Sequence, residues 1–253
     1  MAAAGAVVTA VAAPAASVMA QAMTYKDAPS LAGKGLPPVT QRLPQNPRVI
    51  KPLDRVGTFG GTWHRGYTGL SDRVGPGKLR EEYGIEWDAP DQNTLRIAAN
   101  LYETWEQNAD ATEWSFTLRR GMKWSDGKEV TTEDVRFYWE DMAGVADIIA
   151  APNFPGMRVR IGGEFAMGKF SAVDNYTFKV QYAVPNPLLP IIMAKTGAGA
   201  LNNTTWLAPS HYLKQFHPKY ADVNALNALA QSKNLPGWSA LWGTGGNLEG
   251  PSV

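Results

Sequence analysis

Trp114-Ser-Phe-Thr-Leu-Arg-Arg-Gly-Met-Lys-Trp-Ser-Asp-Gly-Lys-Glu-Val-Thr-Thr-Glu-Asp-Val-Arg-Phe-Tyr-Trp139 decides how this chain is read. Trp114, Phe116 and Leu118 alternate with Ser115, Thr117 and Arg119, the period-2 pattern of a half-buried strand. Arg120-Gly121 breaks the pattern and Lys123-Trp124 resumes it. Ser125-Asp126-Gly127-Lys128 has the composition of a tight turn. Thr131 followed three residues later by Asp134 is a variant of the capping box, and Glu133 and Asp134 sit where a helix dipole favours negative charge. Val135, Tyr138, Trp139 and Met142 then fall at three- and four-residue spacing, so they share one apolar helix face. The carboxylates Asp126, Glu129, Glu133, Asp134, Glu140 and Asp141 read as turn, strand-end, cap and exposed-face residues rather than as a metal or acid/base cluster.

Working outward, the 253 residues suffice for one large domain or two small ones, and a hydrophobic fraction of 44% allows a substantial core. A net charge of +1 gives no bias toward nucleic acid or anionic membrane. The chain has no cysteine, which excludes disulfides, zinc-thiolate sites, cysteine nucleophiles and a cleavage-site Cys for a lipid anchor. Residues 1–22 are Ala-rich and end in Ala20-Gln21-Ala22, the small-x-small pattern of signal-peptide cleavage. No Lys or Arg precedes Lys26, so the segment reads as a truncated export signal. Residues 23–56 form a Pro/Gly-rich extension, expected to lie extended on a surface. Globular sequence is expected over 57–237, opening with a strand through Gly60-Gly61-Thr62, and an unpatterned tail over 238–253.

Arg158–Ile161, a Gly162-Gly163 turn, a run to Val173 and the alternating Tyr176, Phe178, Val180 and Tyr182 predict an antiparallel meander. Pro185, Pro187 and Pro190 precede a short apolar segment over 188–194. Ser210 is placed as the cap of a helix ended by His217-Pro218, and 224–232 as a final helix. His211 and His217 stand six residues apart, outside zinc-ligand spacing, and no metal site is expected. No GxSxG nucleophile elbow and no phosphate-binding glycine loop is present, so no catalytic residue is assigned.

The strip from Trp114 to Trp139 closely resembles the signature segment of the family-5 extracellular solute-binding proteins, the peptide, opine, sugar and nickel receptors of ABC importers. Asn100-Leu101 with Trp105-Glu106, and Pro209-Ser210-His211-Tyr212-Leu213, resemble two further elements of that family. The resemblance implies a mixed α/β fold of the periplasmic-binding-protein type (type II, peptide-receptor class). The chain would hold part of the first lobe, with its antiparallel meander. It implies an exported, soluble periplasmic receptor with no cofactor, which closes around a small solute (oligopeptide, opine or sugar) and docks on an inner-membrane ABC permease; no nucleic acid is involved. Family members are much longer, so the product reads as a fragment without the second lobe. By position, the loop Gly66-Tyr67-Thr68-Gly69 would contact the ligand through Tyr67, Thr68 and Gly69. Asn203 and Trp206, in the polar-aromatic loop 202–206, form a second candidate contact. Two other functions stay open from sequence: a carbohydrate hydrolase using distant carboxylates, and a small envelope interaction module. Truncating Trp114 or Trp139 to Ala is expected to cost about 3–5 kcal/mol in chemical denaturation, because each is placed on a buried face.

Overall fold

The computed structural model describes residues 25–58, 60–62, 64, 66, 82–143, 145–149, 156–194 and 205–242. The Ala-rich segment 1–22, the loop expected at 67–69 and the residues from 243 onward lie outside that set. Its centre is a four-stranded antiparallel sheet in the order β3-β4-β8-β7, formed by β3 (Tyr102–Gln107), β4 (Glu113–Leu118), β7 (Lys169–Ala172) and β8 (Thr177–Gln181). Two hairpins flank it: β1 (Ile85–Asp91) with β2 (Thr94–Ala99), and β5 (Arg158–Ile161) with β6 (Glu164–Met167). All pairings are antiparallel, but the single meander expected from Arg158 to Tyr182 is split: β5 and β6 pair only with each other, while β7 and β8 join the central sheet.

The alternation in the signature strip fixes this sheet's register. Trp114 pairs with Val180 and Phe116 with Phe178, so these two buried residues of β4 each face a buried residue of β8. A one-residue slip would turn Trp114, Phe116 and Leu118 to the opposite face. The turn after β4 closes as its composition requires: Gly127 has φ +87, and the Asp126 carboxylate accepts from the Lys128 N–H at 3.0 Å.

The helix that follows begins as α2 (Thr132–Arg136), with the expected reciprocal capping box between Thr131 and Asp134. It then widens into a π-helix over Phe137–Met142. The widened turn changes which residues face inward. Val135, Tyr138, Trp139 and Met142 are buried as their spacing predicts, but so are Phe137 and Asp141. Asp141 therefore does not lie on an exposed helix face: at ideal helical spacing it would point away from the core, and the π-turn rotates it in.

Trp114 and Trp139 are both about nineteen-twentieths buried, each with its indole N–H bonded to a carbonyl: Trp114 to Asn186 at 3.2 Å and Trp139 to Gly168 at 3.0 Å. Downstream lie α3 (Leu189–Met193), α4 (Ser210–Leu213) with a 3-10 turn over Lys214–Phe216, and α5 (Val223–Ser232). His217 is extended (φ -105, ψ 129), as a residue before proline must be, and it ends the α4 segment. Two placements differ from expectation. Ser210 is the first residue of α4 rather than its cap; Pro209 holds the cap position, and the Ser210 hydroxyl goes to Asp134 instead. The residues from Trp238 to Trp242 are also not patternless: they form a 3-10 turn that buries Leu241 and Trp242, and the Trp242 indole donates to the Phe216 carbonyl at 3.2 Å.

The extension does lie along the surface where it meets β4. The Gln45 N–H donates to the Arg120 carbonyl at 2.9 Å, Lys123 reaches the Gln41 carbonyl at 2.7 Å, and the Arg119 guanidinium donates to the Asn46 carbonyl. It contains a 3-10 turn over Pro29–Leu31 and a short α-helix, α1 (Val39–Arg42). The strand expected through Gly60-Gly61-Thr62 is not formed by those residues: Gly60 and Gly61 both have positive φ (+100 and +79), which breaks extended pairing, and all three are exposed.

The strip's acidic residues differ sharply in burial, and this makes a test. Replacing the buried Asp134 by Ala, which orphans the groups that bond to it, should lower the unfolding free energy by about 3 kcal/mol. Replacing the exposed Asp126 should leave the urea midpoint almost unchanged. Equal effects of the two substitutions would show that burial does not set their roles.

Candidate functional site

Tyr67, Thr68, Gly69 and Asn203 lie outside the described residues. What the structure does show is the anchor from which the second candidate loop departs. Trp206 is fully buried and sits in left-handed backbone conformation (φ +52), which is costly for a bulky residue and persists only where packing enforces it.

That packing is an aromatic cage contributed by four elements. The Trp206 ring lies edge-on to Trp139 of the π-helix (centroids 5.0 Å) and to Phe116 of β4 (5.6 Å), with Tyr102 of β3 and Phe178 of β8 at 6.5 Å. Edge-to-face contacts at these separations suit the ring quadrupoles. The backbone is held as well. The Tyr102 hydroxyl donates to the Thr205 carbonyl, and the Ala208 N–H donates to the Asp134 carbonyl at 3.3 Å. Burial pushes the Tyr102 hydroxyl well above its ordinary pKa, so it remains a donor. Trp206 is thus a core group whose ring has no open face, and it positions the chain that follows Asn203. The sequence offered Trp206 as a candidate ligand contact because it closes a polar-aromatic loop; the cage that buries it is assembled from residues far away in sequence.

A second constellation joins α2 and the π-helix to the segment after α4. Arg136 pairs with Glu133 (2.7 Å), Glu140 (3.0 Å) and Asp141 (2.9 Å). Lys214 reaches Glu133 at 2.7 Å, and Asp141 also accepts from Lys219 and from the Tyr220 hydroxyl, each at 2.6 Å. The Arg136 hydrogen bond, joined by Lys214, holds the Glu133 carboxyl down at about 2. Burial opposes the Asp141 carboxylate, yet Lys219, Tyr220 and Arg136 together keep it below the usual carboxylate range. Asp134 is the centre of a separate knot: one oxygen accepts from Thr131 N–H (3.0 Å) and the Trp124 indole (3.1 Å), the other from Ser210 N–H (3.0 Å) and its hydroxyl (2.7 Å).

Glu133, Asp134 and Asp141 are committed to bonds between elements. Sequence spacing located Asp134 at the helix start but not its reach to Ser210. For Asp141 the only available signal was its position five residues after Arg136, the contact spacing of a π-turn. His211 meets Asp126 at 2.6 Å, and His217 is buried against the Asp141 carbonyl. Among the described residues no group of three or more His, Cys, Asp or Glu is arranged to hold a metal ion.

Comparison with known proteins follows these elements. The model for "Bacterial extracellular solute-binding proteins, family 5 Middle" matches residues 96–230, from β2 to near the end of α5. The periplasmic alpha-galactoside-binding protein of Rhizobium meliloti (strain 1021) is 30% identical over 210 residues, covering 75% of this chain and 28% of that protein. The periplasmic oligopeptide-binding protein OppA of Escherichia coli (strain K12) is 33% identical over 100 residues, covering 36% of this chain and 18% of that protein. A solved structure of an oligopeptide-binding protein OppA matches with a TM-score of 0.69 at 34% identity, over 86% of this chain and 32% of that one. The chain spans less than a third of the length of each of these proteins.

The cage is tight at Gly156, whose φ is +77; a Cβ there would stand 2.6 Å from Leu189 Cδ1 and 3.0 Å from Trp206 Cζ2. Gly156→Ala should therefore destabilise the fold by about 2 kcal/mol and alter the near-ultraviolet circular dichroism of the buried indole. An unchanged spectrum and melting curve would mean that the cage yields freely.

Proposed function

Because this chain belongs to the family-5 bacterial extracellular solute-binding proteins, we propose that it is the solute-capturing component, or part of it, of an ABC importer. Its fold is that of the OppA-type periplasmic binding proteins, and it holds part of one lobe. In this reading it takes up an oligopeptide or a galactoside-type sugar in the periplasm and delivers it to a membrane permease. Ligand binding would use Tyr67, Thr68 and Gly69 from one loop and Asn203 from another, with Trp206 fixing the base of the second. Hinge closure between two lobes would divide the binding energy between them.

The observation that supports this most is the coincidence of the family match with the packed unit: residues 96–230 contain the central sheet, the capped helix and the Trp206 cage. The relatives' names support both solute classes, one being an alpha-galactoside-binding protein and others oligopeptide-binding proteins. The engagement of Glu133, Asp134 and Asp141 in inter-element bonds favours a receptor over a hydrolase, because a carboxylate serving as acid or nucleophile must face its substrate. No helix among the described residues is long and apolar enough to cross a membrane, which suits delivery to a separate permease.

The test is a binding panel of raffinose-type galactosides and short oligopeptides, read by calorimetry with product analysis alongside. Saturable binding of one class without turnover is expected. Asn203→Ala should weaken it by about tenfold, roughly 1.4 kcal/mol, at unchanged melting temperature. Turnover abolished by a single carboxylate substitution would replace this reading by the hydrolase.

A further inference from the structure

The segment from Ser210 to Trp242 carries two histidines in different surroundings. His211, at its front, is exposed and sets Nε2 2.6 Å from the Asp126 carboxylate. The Asp134 bonds to Ser210 N–H and Oγ hold the same end independently of either imidazole.

His217, further back, is buried and its two ring nitrogens have different tasks. Nε2 lies 2.9 Å from the Asp141 carbonyl, which can only accept, so Nε2 bears the proton. Nδ1 accepts the Lys219 backbone N–H at 3.1 Å. The ring is neutral in this arrangement. A second proton on Nδ1 would meet the Lys219 N–H, donor against donor, and neither could be satisfied without backbone movement. The ring is enclosed by Phe137 (centroids 6.0 Å), Tyr220 (5.6 Å) and Trp242 (5.9 Å), so a new charge would also be poorly solvated.

The charged and titratable groups around it are few. From the π-helix comes Asp141, whose carboxylate favours the imidazolium; from the following turn come Lys219, which opposes it, and Tyr220, whose hydroxyl is committed to Asp141. Arg136 stands one step further out, already bound to Asp141. Burial outweighs the attraction of Asp141, and the imidazole is held below its ordinary value. A histidine depressed on folding contributes stability that is full above the unfolded value of about 6.5 and is lost as pH falls through the folded value.

We propose that Ser210–Trp242 is an acid-responsive pivot, in which protonation of His217 undocks the back of the segment, from Lys219 through α5 to Trp242, while α4 stays tethered to Asp134 and Asp126. The release surface is defined: the Tyr220 and Ala221 N–H groups bond to the His217 carbonyl, and Trp242 bonds to Phe216. For an exported protein, exposed to the pH of its surroundings, such a pivot would make the end of the family-matched unit loosen in acid while the sheet and the capped helix stay intact.

The chain has only three histidines, His64, His211 and His217, so their ring protons can be followed individually by NMR between pH 7.5 and 4.5. In the wild-type chain His217 should titrate below the ordinary histidine value, and amide exchange over 219–242 should rise as pH falls from the unfolded value toward it, by about tenfold for each unit separating the two. Amides of 114–118 and 210–213 should keep their protection across the same range. In His217→Gln the acid-dependent rise over 219–242 should vanish, and in His211→Gln it should persist. Titration of His217 in the wild-type chain without any change in exchange over 219–242 would overturn the proposal. So would an acid-dependent rise that survives in His217→Gln. The wild-type titration decides the matter even if the variant folds poorly.

Discussion

One buried carboxylate holds the two halves of this unit together. Asp134 caps the helix of the signature strip, receives the indole of Trp124 from the preceding turn, and receives both the N–H and the hydroxyl of Ser210 from a segment 76 residues away. Its own carbonyl receives the Ala208 N–H. A local capping group thus doubles as the long-range fastening for residues 205–213. Four donors on one carboxylate also explain how a charge can be buried here at all, since each lone pair that lost water found an N–H or O–H in its place.

From that fastening the geometry of the candidate site follows. With Ala208 and Ser210 fixed, Trp206 is directed into the aromatic cage between the central sheet and the π-helix, and Tyr102 ties Thr205 to β3. The cost of a left-handed tryptophan is borne by burial of its whole ring. Thr205 and Trp206 are thus a fixed point of the fold, set by burial and by a bond to β3 rather than by the polar residues before them.

Much of the fold was legible because it depends on short-range pattern. The alternation of Trp114, Phe116 and Leu118, the Asp126-Gly127 turn, the Thr131/Asp134 box and the alternating Phe178 and Val180 are each decided within a few residues, and each appears in the structure as read. The misplacements share a cause. Asp141 points inward because the helix loosens to a π-turn, Ser210 is not a cap because Asp134 already serves it, and Trp242 is buried because Phe216 and His217 form its seat. None of these is encoded nearby. For the site the balance was poorer: Trp206 stood out as an aromatic beside polar residues, but whether an aromatic faces a ligand or the core is settled by rings from other strands.

The way the N-terminal extension is held has a consequence for how its sequence can change. Gln41, Gln45 and Asn46 are gripped by main-chain atoms: two carbonyls take Lys123 and Arg119, and one N–H meets Arg120. Gly121, whose positive φ brings the chain within reach, lets the backbone at Gln45 lie against it. Side chains reinforce the grip at its end, where Asn46 Nδ2 donates to the Glu103 carboxylate and Arg48 pairs with Glu86 and Asp88. Positions 41 and 45 are held through their backbone, so they can change in composition and stay docked, with proline at 45 the substitution the clasp cannot accept, since it would remove the one N–H it uses. Positions 46 and 48 are bound through their side chains as well, and a change there would loosen the clasp.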